Sequence, residues 1–123
     1  MCDYPKAPEH NIHEISKSID EVYKAAISQF DAKNIVLLGD SVGGTLISAL
    51  IQRLIINKKP LPQQLILVSP VMDASFSNTA IDETEPIDPM LSKRGLLCAK
   101  KLCAPDDDLK NPIISPLYGN FIG

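Results

Sequence analysis

One short stretch of this sequence contains the residue types and the spacing that nucleophilic catalysis requires. A serine lies between two glycines in Gly-x-Ser-x-Gly spacing, within the six residues Gly39, Asp40, Ser41, Val42, Gly43 and Gly44. A serine hydroxyl attacks an acyl carbon once a general base removes its proton. Ser41 is therefore the candidate nucleophile of an acyl-transfer reaction.

The elements on either side of Ser41 are predicted to expose it at a sharp turn. An apolar strand is predicted over residues 34–38, and a mostly apolar helix starts at Val42. A strand without polar alternation is typical of a parallel sheet that is covered on both faces, and a helix that is apolar all round is normally buried. Gly39 and Gly43 have no Cβ, so we expect them to let the strand and the helix approach closely. This strand–turn–helix context is that of a nucleophile elbow.

Two other interpretations of the glycine turn are open. The turn could be a tight connection in which Ser41 only caps the helix, or it could bind phosphate at the helix N-terminus. The sequence contains neither G-x-G-x-x-G nor G-K-[ST], which disfavours phosphate binding. In the elbow interpretation, the N–H of Val42 donates one hydrogen bond to the oxyanion, and one such donor lowers the barrier by about 3 to 4 kcal/mol.

The periodicity of the chain predicts an α/β fold with a parallel sheet and flanking helices. Asn11 and Glu14 match a capping box, and the helix that follows has apolar residues at helical spacing from 15 to 30, including Val22 and Phe30. A second apolar strand is predicted over 65–68. Helix, strand, helix and strand in this order give a βαβ core over residues 1–70 of a single domain, 1–123. Residues 71–123 are interpreted as loop-rich, with a long loop over 71–90 and a short helix capped by Ser92.

Composition and charge exclude several classes of function. The net charge of −3 and the lack of a basic patch argue against nucleic acid or an anionic membrane as the main partner. Gln52 and Arg53 interrupt the longest apolar run, which is too short to span a bilayer. We expect a cytoplasmic protein without a cofactor or a metal. Free thiols are predicted at Cys2, Cys98 and Cys103, and a solvated acidic surface is predicted at Glu83, Glu85, Asp88 and residues 106–108.

An ordered set of motifs resembles the hormone-sensitive-lipase-like branch of the α/β-hydrolases. Residues 39–44 match its G-D-S-x-G-G elbow, and residues 3–10 resemble its D-Y-x-L-A-P-E-H-P segment, with Lys6 where leucine is usual and Asn11 where the final proline is usual. Residues 67–70 together with Asp73 match its L-x-S-P-x-x-D pattern. Residues 88–92 and 115–118 also resemble family segments. The similarity covers nearly the whole chain in the family's order.

The resemblance implies a partial α/β-hydrolase fold that is incomplete at both ends. It implies a serine carboxylesterase or lipase-like enzyme that cleaves small esters through an acyl-enzyme at Ser41. By the same resemblance, Asp73 lies beside the site in a supporting role. The family's H-G-G-G oxyanion loop would precede Met1, and its triad acid and histidine would follow Gly123.

The position of the histidines in the chain leads to the same expectation. The triads of this fold run in the order serine, acid and histidine, whereas His10 and His13 both precede Ser41. Neither is predicted to be the base. Two hypotheses follow: an esterase that is incomplete in these residues, or a catalytically inactive module of the same fold that binds a partner or a small ligand. Unpaired edges of the predicted sheet also indicate self-association.

Overall fold

The computed structural model describes residues 2–122, in which helices and strands alternate in the first half and helices follow in the second. Three short 3-10 helices connect or follow them, at Ala32–Asn34, Glu85–Ile87 and Pro116–Tyr118. In chain order, the longer elements are α1 (Ile12–Gln29), β1 (Val36–Asp40), α2 (Val42–Ile56), β2 (Gln64–Val68), α3 (Ala80–Thr84) and α4 (Lys93–Cys103).

The two strands form the predicted parallel sheet. They pair from Val36 opposite Gln64 to Asp40 opposite Val68. β1 begins two residues later than the apolar pattern predicts, because Asp31 starts a 3-10 turn by accepting a hydrogen bond from the N–H of Lys33. The strand consequently extends to Asp40, directly before Ser41.

Helix α1 begins at the predicted capping box. The side chain of Asn11 accepts hydrogen bonds from two N–H groups of the first turn, and the Glu14 carboxylate accepts one from the N–H of Asn11. The buried stripe is narrower than predicted, because Val22 and Phe30 point to solvent. The apolar residues that α1 buries are Ile12, Ile15, Ile19 and Tyr23.

Helix α2 packs along α1 and forms the centre of the core. Leu46, Leu50 and Leu54 are almost fully buried, as the apolar pattern of this helix predicts. Ala74, Ala104 and Ile114 complete the same cluster from the second half of the chain. The loop-rich residues after β2 are therefore folded onto the helices.

Only one face of the sheet is covered by the described residues, so the prediction of strands buried on both faces is wrong for them. Leu37 and Leu65 pack against the helical core. Leu38 is 65% exposed and Ile66 is 40% exposed, because α1 and α2 belong to one cluster on the opposite side. Side chains alternate across a strand, so the second face keeps its own apolar residues without cover.

The second half of the chain contains more helix than predicted. The long loop expected over 71–90 includes α3 and the 3-10 turn Glu85–Ile87. Helix α4 follows as predicted, with the Ser92 hydroxyl accepting a hydrogen bond from the N–H of Gly95 at 3.1 Å. Within residues 2–122, no helix is long and apolar enough to cross a bilayer.

Candidate active site

Ser41 lies at the junction between β1 and α2, where the chain reverses sharply. Its backbone has φ 51° and ψ −117°, a conformation that costs energy for any residue other than glycine. The side chain is exposed, and the structure of residues 2–122 records no capping hydrogen bond from it to α2. The interpretation of Ser41 as a helix cap therefore loses its support. The hydroxyl remains available to a ligand at the carboxyl end of the sheet.

Two glycines allow the close approach of strand, helix and loop at this junction. A Cβ on Gly39 would lie 2.5 Å from the backbone carbonyl carbon of Gly43, so any side chain there collides with α2. A Cβ on Gly44 would lie 2.7 Å from the Cβ of Pro70. A Cβ on Gly43 would meet no described atom within 4 Å. The expectation that Gly43 permits the approach is therefore wrong, and Gly44 has that role, because the helix turns this residue toward the loop after β2.

Helix α2 begins directly after Ser41. The N–H groups of Gly44 and Thr45 donate to the carbonyl of Ser41, whereas the first N–H groups of a helix have no acceptor within it. The N–H of Val42 is one of these groups, and the helix dipole places partial positive charge there. Val42 and Asp40 both have exposed side chains. The junction can thus stabilise negative charge that develops beside Ser41.

The loop after β2 is fixed to this junction by backbone and side-chain contacts. The N–H of Ser41 donates to the carbonyl of Val68 at 2.9 Å. The hydroxyl of Thr45 donates to the carbonyl of Val71 at 2.6 Å. Ser69, between these two carbonyls, has a positive φ of 42°. The chain therefore turns immediately after β2 and runs against the first turn of α2.

Asp73 organises the loop further along. Its carboxylate accepts hydrogen bonds from the N–H groups and the hydroxyls of Ser75 and Ser77. Burial raises the pKa of Asp73, but these four bonds outweigh that effect and lower the pKa from 3.8 to about 2. The Tyr118 hydroxyl lies 3.2 Å and 3.1 Å from the two serine hydroxyls. Asp73 is therefore ionised at neutral pH, and its bonds go to the loop's own residues.

The segment 115–119 connects the loop to α2, and sequence reasoning did not identify these contacts. The Ser115 hydroxyl is fully buried and accepts a hydrogen bond from the N–H of Ala74 at 2.7 Å. The side-chain amide of Gln52 donates to the carbonyl of Pro116 at 2.7 Å. A Cβ on Gly119 would overlap the Gln52 amide. The sequence did contain a signal for such contacts, because Thr45 and Gln52 are polar residues in an otherwise apolar helix.

The two histidines lie near the start of α1, and each forms an ion pair or hydrogen bond with a carboxylate. The Nδ1 of His10 lies 3.5 Å from a carboxylate oxygen of Glu14, and the Nε2 of His13 lies 2.9 Å from one of Asp107. Neither ring has Ser41 among its recorded hydrogen-bond partners. That neither histidine is the base stays a prediction.

Two of the acidic residues form local hydrogen bonds, and the thiols are free. Asp88 accepts hydrogen bonds from the N–H groups of Met90 and Leu91, and the Glu85 carboxylate accepts one from the N–H of Lys93. Within the described part of the chain, no group of three or more histidine, cysteine or acidic residues is arranged to hold a metal ion. The cysteines are free, with Cys2 and Cys98 exposed and Cys103 half-buried. Burial raises the pKa of the Cys103 thiol.

Two cavities of the described residues lie away from Ser41. The larger, of about 460 Å³, lies between α1 and the end of α2 and is lined by residues that include Tyr23, Arg53 and Pro60. A second, of about 410 Å³, lies along α4 beside Cys98. Ser41 lines neither of them.

Comparisons with known proteins identify the family. A family model described as alpha/beta hydrolase fold matches residues 1–123. An esterase from Acinetobacter venetianus is 35% identical over an alignment of 123 positions that covers 98% of this chain and 41% of that protein.

Solved structures agree in fold over nearly the whole chain. The HSL-homologue EstE7 from a metagenome library has a TM-score of 0.92 at 29% identity, over 98% of this chain and 42% of that one. An esterase from the bacterial hormone-sensitive lipase family has a TM-score of 0.88 at 27% identity, over 94% of this chain and 39% of that one. The chain thus spans about two-fifths of the length of these relatives.

Proposed function

Because the chain belongs to the α/β-hydrolase family, in its hormone-sensitive-lipase-like branch, we propose that it contains the nucleophile of a serine carboxylesterase. The observation that carries the proposal is the conformation of Ser41. Its backbone is held at φ 51° and ψ −117° between β1 and α2. Such strain in a non-glycine residue persists where the surrounding structure requires it, and it is concentrated at functional sites.

The proposed reaction is ester hydrolysis through an acyl-enzyme. The Ser41 oxygen attacks the carbonyl carbon of a small ester while a base takes the hydroxyl proton. The tetrahedral intermediate then collapses, the bond to the alcohol oxygen breaks, and the alcohol leaves with the proton. Water attacks the acyl-serine in the second half-reaction, which releases the carboxylic acid and restores the hydroxyl of Ser41.

Val42 and the start of α2 stabilise the oxyanion in this proposal. The N–H of Val42 follows the nucleophile directly, which is where an elbow supplies one donor of the oxyanion hole. Gly39 and Gly44 permit the close packing that directs α2 at the reacting carbon. Asp73 supports the site indirectly, since its bonds to Ser75 and Ser77 shape the loop that begins beside the elbow.

The general base and its acid partner are proposed to come from parts of the protein beyond these 123 residues. His10 and His13 contact Glu14 and Asp107, so the proposal does not use them. The relatives are more than twice as long as this chain, which leaves room for these groups and for a second oxyanion donor.

The nucleophile is tested by covalent labelling with a fluorophosphonate probe of purified protein that includes the parts proposed to supply the base and its acid partner. We expect the label on Ser41 and none in Ser41→Ala, together with a loss of p-nitrophenyl acetate hydrolysis of at least about 1,000-fold. Ser28→Ala is the matched control, because Ser28 is an exposed serine on α1 that should leave labelling unchanged. A label elsewhere, or equal turnover in Ser41→Ala, would disprove the assignment.

The second candidate is a catalytically inactive module of the same fold that binds a partner or a small ligand. The engagement of both histidines with carboxylates favours it. It predicts a folded protein that is neither labelled nor active. Labelling of Ser41 by the probe would exclude this candidate.

A further inference from the structure

Three contacts join the elbow to the residues that follow β2. The N–H of Ser41 donates to the carbonyl of Val68, and Gly44 packs so closely on Pro70 that a Cβ would lie 2.7 Å from the proline Cβ. The third contact is the hydrogen bond of 2.6 Å from the Thr45 hydroxyl to the carbonyl of Val71. The segment 68–71 therefore follows the first turn of α2 at successive points.

Thr45 is the only member of these contacts that uses a side-chain hydrogen bond. It is 2% exposed, and it is followed in the core of α2 by Leu46, Ala49 and Leu50. A valine would fill the same volume at this position without the hydroxyl. Because buried polar groups need a partner, the bond to Val71 accounts for the presence of a hydroxyl at a core position.

The hydrogen bond from Thr45 to Val71 lies next to the strained backbone of Ser41. The Ser41 carbonyl accepts from the N–H of Thr45, and the Ser41 N–H donates into the segment that the Thr45 hydroxyl holds. A strained backbone persists only where its surroundings determine it from several directions. Thr45 supplies one of these constraints from inside the helix.

The segment is also fixed at its far end, which makes it a firm support. The N–H of Leu117 donates to the carbonyl of Met72 at 3.0 Å, and the Ser115 hydroxyl accepts from the N–H of Ala74. Gln52, two turns after Thr45 on α2, donates to the carbonyl of Pro116. The loop after β2 is therefore anchored to α2 both directly and through segment 115–119.

We propose that Thr45 is a positioning residue for Ser41. Its hydroxyl holds the segment 68–71 against α2, and this segment keeps Ser41 in the conformation that presents the nucleophile. The inference rests on the proposed function for its kinetic consequence, whereas its structural consequence, protection of the Ser41 N–H, is independent of any activity.

The test compares four variants of the purified protein. Thr45→Val removes the hydroxyl and keeps the volume, Thr45→Ala also removes it, and Thr45→Ser keeps it. Tyr23→Phe is the matched control, because the Tyr23 hydroxyl makes the same kind of bond, to the carbonyl of Pro60 at 3.0 Å, beyond the opposite end of α2. The measurements are the kinact and KI for the fluorophosphonate and the hydrogen exchange of the Ser41 amide.

Loss of the hydroxyl should lower kinact by about tenfold with little change in KI, since a small displacement of a reacting atom slows the chemical step. Exchange of the Ser41 amide should accelerate by about tenfold in Thr45→Val and Thr45→Ala. Thr45→Ser keeps the hydroxyl, so its kinact and its Ser41 amide exchange rate should equal those of the wild type. Tyr23→Phe should lower the melting temperature and leave both values unchanged.

Two results would overturn the inference: wild-type kinact and exchange in the folded Thr45→Val protein, or equal slowing in Thr45→Ser or Tyr23→Phe. If the wild-type protein is not labelled at all, the proposed esterase function fails. Amide exchange then decides the positioning role by itself, because it depends on the hydrogen bond to Val68 and on no reaction.

Discussion

The carboxylate of Asp73 shows how a charged side chain can determine the shape of a loop. Both of its oxygens accept hydrogen bonds from residues two and four positions later in the chain. Hydrogen bonds to the ionised form lower a carboxyl pKa, here to about 2. The loop between β2 and α3 is therefore most stable when Asp73 is charged.

Asp73 should accordingly contribute a pH-dependent part of the protein's stability. Its pKa in the folded protein is below the value of 3.8 for an unperturbed aspartate, so the contribution is complete above about pH 4 and is lost as the pH falls toward 2. Asp73→Asn should lower the free energy of unfolding by about 1 to 2 kcal/mol at pH 7. Urea unfolding at pH 7, 4 and 2.5 measures this.

In the same measurements, the difference in unfolding free energy between the wild type and Asp73→Asn should be smaller at pH 2.5 than at pH 7. Asp82→Asn is the matched control, because Asp82 forms an exposed ion pair with Lys93 at 2.7 Å. An exposed pair contributes little, so this variant should change the unfolding free energy by less than about 1 kcal/mol. A difference for Asp73→Asn that is equal at all three pH values would contradict the assigned hydrogen bonds.

At the scale of elements, the junction of β1 and α2 depends on how closely the strand end and the helix approach. The three glycines of this junction are not equivalent. Gly39 faces the backbone of α2 and Gly44 faces Pro70, whereas the position of a Cβ on Gly43 is unoccupied by described atoms. The spacing of the motif alone does not distinguish them.

Alanine at Gly39 and alanine at Gly43 should therefore have different effects on stability. Gly39→Ala forces the backbones of strand and helix apart, and we expect a loss of about 3 kcal/mol in the free energy of unfolding. Gly43→Ala should be neutral or stabilising by up to about 1 kcal/mol, because alanine favours a helix over glycine. Thermal unfolding of the two proteins provides the comparison. Equal destabilisation would mean that the helix start lies differently against the strand.

At the scale of the molecule, the sheet has one covered and one uncovered face in the described residues. Val36, Leu38, Ile66 and Val68 are exposed on the second face, and the two strands pair only with each other. An exposed apolar sheet face with free edges is a surface on which other strands or helices assemble. In a polypeptide of residues 1–123 alone, this apolar face is thus expected to become buried against other molecules.

We therefore expect the isolated 123-residue polypeptide to self-associate. Replacing both Leu38 and Ile66 with lysine should shift it toward the monomer, since charge on this face opposes burial. Ile87→Lys is the control, because Ile87 is also an apolar residue, is 80% exposed and lies outside the sheet. Light scattering during gel filtration measures the mass. A wild-type monomer at micromolar concentration would refute the expectation.

The parts of the fold that depend on local sequence were predicted well. The capping box at Asn11 and Glu14, the order of strands and helices, the parallel pairing and the helix capped by Ser92 all agree with the structure. The two helix caps depend on residues within one turn of each other, and the strand order and parallel pairing follow from the alternation of helices and strands along the chain. The start of β1 was predicted two residues early, because the competing turn at Asp31 was not recognised.

The sequence by itself determined that a serine with elbow spacing would lie between a strand and a helix, since periodicity and glycine spacing are local properties. Only the tertiary structure decided which glycine permits the close approach, which face of the sheet is covered and how Thr45 and Asp73 bond. The reason is that these features depend on contacts across the fold. Thr45 meets Val71, and Ser115 meets Ala74, only after the chain has packed.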